Sequence, residues 1–208
     1  MKTIYKIFAP ILTIAVLPAI FFLPFLRLSA KTLLSEGASG LLGLPEYNSL
    51  YALIKNSVNA DDTTQMIMKV VQQLFTGEDG AFTKSVHGGL LIAALVFLAL
   101  MVVLALLAFG FAIFSKKATL CIGFSAGGVV CALIGNKLFD AFAKPFLDGT
   151  VSLKSLISGA DALSGLLGSL VTVEHFELAL AYQVCIVLLG LAAVLGIAAK
   201  IEGAYEKA

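Results

Sequence analysis

The chain alternates between long stretches without any charge and segments in which charged residues recur. Four runs contain no Asp, Glu, Lys or Arg: Ile7 to Leu26, Gly88 to Ser115, Ala118 to Asn136 and Leu178 to Ala199. Each is close to or above the roughly 20 residues that an α-helix needs to cross a hydrocarbon core of about 30 Å. Membrane strands are about ten residues long and alternate in polarity, whereas these runs are apolar throughout. The pattern predicts an all-α integral membrane protein, a four-transmembrane-helix bundle with spans at about residues 7–28, 88–115, 118–138 and 178–199. The whole chain, 1–208, reads as one membrane domain.

The segments between the spans have patterns of their own. In the first, about residues 29–86, Asn48 and Asp61 each precede apolar residues at helical spacing and have side chains suited to capping a helix start. Two short amphipathic helices are expected there. One carries Leu50, Leu53, Ile54 and Val58; the other carries Met66, Met68, Val70, Val71, Leu74 and Phe75 and ends at Gly77. The segment at about 139–177 reads similarly through Leu153, Leu156, Ile157, Leu163, Leu166 and Leu167. Both segments contain the string Ser-Gly-Leu-Leu-Gly, at Ser39 to Gly43 and Ser164 to Gly168, which chance or an old duplication would explain. Between the second and third spans only a tight turn at Ser115-Lys116-Lys117 is available, so those helices should form an antiparallel hairpin.

Charge orients the spans. With the N-terminus inside, the cytoplasmic side holds Lys2, Lys6, Lys116, Lys117, Lys200 and Lys207 against Glu202 and Glu206, and the two long loops on the other side are net acidic. Arg27 pulls mildly the other way. The expected placement is a multi-pass protein of the cell membrane with both termini cytoplasmic. Lys2 and Lys6 before an apolar run, with Leu28-Ser29-Ala30 after it, imitate a signal peptide; the run exceeds the usual core of about 7–15 residues, which favours a retained span.

Composition narrows the function. Apolar residues make up 60% and charged residues 13%, about half the charge of a soluble domain, and no basic block of the kind that holds nucleic acid is present. Cys121, Cys131 and Cys185 all lie in predicted spans, so the loops can form no disulfide. No ionisable side chain falls at mid-membrane, which argues against proton relays and ion-coupled carriers. Gly-Phe-Ser-Ala-Gly, at Gly123 to Gly127, fits the pattern of a nucleophile elbow but lies inside a span, without the required strand-turn-helix setting. No enzymatic activity, metal or cofactor is expected.

Two groups of residues remain as candidates. Gly123, Gly127, Cys131 and Gly135 recur every four residues in the third span, a small-residue stripe of the kind that lets helix backbones approach closely. Ala192 and Gly196 form a looser version in the fourth span, and Pro10, Pro18 and Pro24 are expected to kink the first. The second group is polar: Glu174, His175 and Glu177 precede the fourth span, and His87 precedes the second on the same predicted side. On a helix the two carboxylates, three apart, would share a face, and His87 from a neighbour would complete an acid/base or metal-type cluster. Water-facing residues at a helix mouth have the same composition. Lys137 and Asp140 should form an exposed ion pair.

The layout of four spans with a longer first outer loop resembles that of claudin-type proteins. The tryptophan and paired cysteines of the claudin first loop are missing, since the chain has no Trp and no loop Cys. The likeness is of layout only. The expected function is non-enzymatic: assembly or interaction, within the lipid bilayer, with copies of itself as a homo-oligomer or with other membrane proteins. The alternative is a subunit of an oligomeric pore or transporter, because four helices in one chain fill their own interior.

Overall fold

A computed structural model describes residues 2–32, 47–52, 55, 86–114, 118–149 and 171–205. Of the first expected amphipathic helix only residues 50–52 and 55 are described, and these are helical. The rest of it, the second segment up to Gly77, the segment from Leu153 to Leu167, the tight turn at 115–117 and the two Ser-Gly-Leu-Leu-Gly strings lie outside the described residues. The described chain is mostly helical, and four helices are long and apolar enough to cross a membrane: Ile4–Phe22, Gly88–Phe114, Ala118–Leu147 and Leu180–Glu202.

In order, the elements are α1 (Lys2–Ile14), α2 (Val16–Phe22), β1 (Pro24–Thr32), β2 (Tyr47–Ser49), α3 (Val86–Phe114), α4 (Ala118–Leu147), β3 (Val171–Leu178) and α5 (Leu180–Tyr205). The prolines explain the first three. Pro18 lacks the N–H that would bond the Ile14 carbonyl and its ring crowds that carbonyl, and the boundary between α1 and α2 falls there. Hydrogen bonds from Ala15 N to Ile11 O (3.0 Å) and from Ala19 N to Ala15 O (3.1 Å) bridge the boundary. Pro24 ends the helix instead of kinking it. A residue before proline is pushed out of the helical region, and Leu23 is extended, with φ −79° and ψ 157°. Pro24 then opens β1, a strand position that tolerates a missing donor.

The strands amend the all-α expectation. They form an antiparallel sheet in the order β2-β1-β3. On one side β1 pairs with β2, Leu26 opposite Asn48 and Arg27 opposite Tyr47. On the other it pairs with β3, from Leu26 opposite Leu178 to Thr32 opposite Val171. Ser29 faces His175 while Ala30 faces Val173, so Glu174 is the extra residue of a β-bulge. Asn48 thus lies in β2 and is no helix cap; Ser49 takes that role, its Oγ accepting the Ala52 N–H at 3.1 Å.

The chain divides into two compact units. The first comprises Met1–Leu23, Ala94–Asn136 and Leu180–Ala208; the second comprises Pro24–Ala93 and Lys137–Ala179. In the first unit, buried residues step along each helix by threes and fours. On α3 they are Ala94, Leu98, Met101, Ala105, Ala108 and Ala112. On α4 the seam runs through Cys121, Ser125, Gly128, Ala132 and Gly135, with Cys131 buried beside it, and on α5 through Tyr182, Cys185, Leu189, Ala192, Gly196 and Ala199, with Ala181 and Ala193 buried beside it. Alternating steps of four and three keep one seam facing its neighbours, the pattern of left-handed helix packing. The seam is built mostly of small residues, as expected where association rests on van der Waals fit.

Candidate functional site

The small-residue stripe behaves differently along its length. A step of four residues turns about 400° around a helix, so a fourfold spacing drifts by about 40° per step and leaves a seam that averages 3.5. Gly123 is exposed, and a methyl group placed there would meet nothing within 4 Å. At Gly127 a methyl would lie 3.5 Å from Leu104 Cδ1. Cys131 is buried. At Gly135 it would lie 3.4 Å from the Ala94 carbonyl oxygen and from Leu98. The end of the stripe nearest Gly135 therefore abuts α3, and the end at Gly123 faces away from the other described residues.

Two glycines matter more to close approach. A methyl at Gly128 would come within 2.9 Å of Leu189 Cδ1, on α5. At Gly196 it would come within 2.5 Å of Ile122 Cγ1 and 3.5 Å of Tyr5 Cε2, so side chains of α4 and α1 fill the space over this glycine of α5. Gly196 carries the signal that sequence reading gave it only in passing. Around it, Tyr5, Ala9, Ala108, Ala112, Cys121 and Ala199 form a buried cluster drawn from α1, α3, α4 and α5. Nearby, Phe111 and Phe124 stack with centroids 5.2 Å apart.

Polar atoms inside this unit are few and mostly serve the backbone. Thr13 Oγ1 donates to the Ala9 carbonyl at 2.9 Å. The Tyr182 hydroxyl donates to the Ala132 carbonyl, tying α5 to α4, and Cys185 Sγ lies 3.8 Å from the Val16 carbonyl oxygen. Ser125, the serine of the elbow-like string, is buried within helix α4, so no substrate reaches it in this conformation.

The polar group belongs to the second unit, and there the helical reasoning is corrected. Residues 171–178 are a strand, in which side chains alternate between faces. The helical argument that would put Glu174 and Glu177, three apart, on one face therefore does not apply, and Glu174 is the extra residue of the bulge. His175 and Glu177 are exposed, while Phe176 and Leu178 between and beside them are less so. The Glu177 carboxylate takes Arg27 as its partner: Arg27 lies opposite it in register, and its guanidinium donates to Glu177 Oε1 at 3.1 Å. His87 lies in the first turn of α3, and its side chain and that of Glu174 are outside the described residues. Among the described residues no three His, Cys, Asp or Glu side chains gather as a metal site would require. Lys137 Nζ and Asp140 Oδ2 are 3.5 Å apart on the surface of α4.

An aromatic cluster that the sequence reading did not single out holds the sheet. Phe139, Phe142 and Phe146 continue the four-three spacing along α4, and Phe176 of β3 packs on all three at centroid distances of 5.3, 5.7 and 6.2 Å. The edge-to-face arrangement sets ring edges against ring faces, the favourable sense of the aromatic quadrupole. The local alternation that turns His175 and Glu177 outward is what turns Phe176 inward.

These features define a mostly helical protein with four membrane-length apolar helices and a small antiparallel sheet. No protein-family model matches the chain, nor does any curated protein or any solved structure.

Proposed function

We propose that the chain is a multi-pass protein of the cell membrane, with both termini cytoplasmic, which acts without catalysis by assembling with itself or with other membrane proteins. The supporting observation is how little of the apolar helices the chain covers. In each of the four membrane-length helices at most 33% of the apolar window is buried. Ile92, Val96, Val103 and Leu106 on α3 and Val187, Leu191, Val194 and Ile197 on α5 stand exposed. Lipid or a partner helix must take the place of water around them, because continuous apolar surface of this extent is not tolerated in a soluble monomer.

Met101, Leu189, Val16 and Thr13 are almost fully buried in the first unit, and the alternative of a pore would place several copies around a shared path. The test has two stages. Expressed in cells, the chain should remain in the membrane fraction through an alkaline carbonate wash; release into the supernatant would overturn the membrane placement. Its mass in lipid nanodiscs after gentle extraction should exceed that of one copy, through self-association or a co-purifying protein. A lone monomer under every extraction condition refutes assembly.

A further inference from the structure

We infer that one end of the helix bundle, marked by Lys6 and Lys200, is a binding surface for phospholipids whose headgroups carry net negative charge. The inference rests on the membrane placement proposed above and names the lipid class for one rim of it. α1 and α5 run antiparallel, since Tyr5 of α1 lies against Gly196 of α5 while the Val16 carbonyl lies beside Cys185. The start of α1 and the finish of α5 therefore share one end of the first unit. Tyr5 and Ala199 belong to the same buried cluster there, together with Ala112 near the finish of α3 and Cys121 in the first turn of α4. Lys6 and Lys200 each follow a member of that cluster by one residue, and both are exposed. In sequence, Lys2 precedes Lys6 and the Lys116-Lys117 pair separates α3 from α4, adding charge of the same sign.

Depth selects the headgroup region. Lys6 is two residues inside the membrane-length segment Ile4–Phe22, and Lys200 is two residues inside Leu180–Glu202, about 3 Å along the axis in each case. Their neighbours Ile4, Ile7, Ile197 and Ile201 are exposed and apolar. The lysine stems lie along acyl chains at this depth while the ammonium groups rise to the level of lipid phosphate. Charge then selects among lipids. Among the described residues neither lysine forms an ion pair, and Glu202, two residues beyond Lys200, is about 200° round the helix from it. A phosphatidylcholine headgroup offsets its phosphate with its own choline cation, whereas an anionic headgroup leaves that charge to the two ammonium groups. Each lysine at a membrane surface favours anionic lipid about fivefold.

Native mass spectrometry of the full chain, released from micelles that contain phosphatidylglycerol and phosphatidylcholine in equal amounts, tests the surface. At low salt the wild type should retain phosphatidylglycerol about 25-fold over phosphatidylcholine, fivefold from each lysine, and raising the ammonium acetate concentration should shrink the ratio. Lys6→Gln and Lys200→Gln should each cut the ratio about fivefold, and together about 25-fold. Lys6→Arg combined with Lys200→Arg keeps both charges and should preserve it. Both positions are exposed, so these changes leave the buried cluster intact. Lys137→Gln alters a lysine already paired with Asp140 and should leave the ratio unchanged. Inorganic phosphate added at constant ionic strength should displace no lipid; displacement would show a site for free phosphate and overturn the lipid reading. Equal retention of the two lipids by the wild type, or a preference that survives the double glutamine change, would overturn the surface. A protein that stays in the membrane through the carbonate wash yet shows no preference overturns this inference alone, and release in that wash overturns the membrane placement with it.

Discussion

Adding one methyl group to Gly196 should destabilise the helix bundle, and the structure sets the scale. The new carbon would lie 2.5 Å from Ile122 Cγ1, whereas carbon atoms in contact settle at about 3.5–4.0 Å. About 1 Å must be found. Ile122 cannot yield it by swinging a flexible tip, because the atom struck is on a β-branched side chain with a stiff χ1. The helices must then part slightly, and overpacking of this kind costs about 1–3 kcal/mol. Against this stands the gain from replacing glycine in a helix, up to about 1 kcal/mol.

Gly123→Ala and Gly110→Ala isolate that opposing gain, since a methyl at either position meets nothing within 4 Å. Equilibrium unfolding in mixed micelles should place Gly196→Ala below both by about 1–3 kcal/mol. Ile122→Ala removes the obstructing atom. In a double-mutant cycle the two substitutions should therefore be less harmful together than their sum predicts, by a similar amount. A Gly196→Ala variant within about 0.5 kcal/mol of Gly123→Ala, or strict additivity with Ile122→Ala, would refute the close approach.

Other substitutions probe the remaining contacts. Phe176→Ala should cost about 3 kcal/mol by removing ring contacts with Phe139, Phe142 and Phe146. Faster amide exchange at residues 26–28 and 177–178 should report it, and unchanged exchange would show that the rings do not hold the sheet. Tyr182→Phe should lose about 1 kcal/mol with the hydroxyl's bond to the Ala132 carbonyl; equal stability of the two proteins in unfolding titrations would contradict that bond. A cycle of Arg27→Ala and Glu177→Ala should give a coupling no larger than about 1 kcal/mol that shrinks with added salt, because the two side chains are 26% and 51% exposed. Coupling above about 2 kcal/mol would mean the pair is shielded from solvent.

The helices were legible because membrane-length apolar runs bounded by charge leave few alternatives. The sheet was hidden by two local ambiguities. Phe25, Leu26 and Leu28 prolong the apolar run past Pro24, so hydropathy carries the first span on to residue 28, although the helix stops at Phe22. The Pro24 signal was present but equally compatible with a kink. In β3, Val171-Thr172-Val173 is rich in β-branched residues and favours a strand, while Glu174 and Glu177 have helical spacing; the strand prevails through pairing with β1. That pairing joins Leu26 to Leu178, partners too distant in the chain for any local pattern to link. Arg27 accordingly counted as a charge beside a span, and its role as the partner of Glu177 appears only once the strands are in register.

The face that each helix buries was harder to read than its existence, because in a run apolar on every side hydrophobicity does not mark the interior. Size does. On α3 from Ala94 onward the buried positions are four alanines with Leu98 and Met101, while Val96, Val103 and Leu106 stay outside. A glycine stripe is the same size signal, but it locates a packing face only where its period matches that of the neighbouring helix. Steps of four residues leave a straight seam by about 40° each, which is why Gly123 is open while Gly135 touches α3. Cys121, Ser125, Gly128, Ala132 and Gly135 keep to the alternating steps, and so do Phe139, Phe142 and Phe146. One repeat along α4 thus supplies small side chains where helices approach closely and aromatic rings where β3 is held. In this chain the period selects the face, and residue size sets what can pack against it.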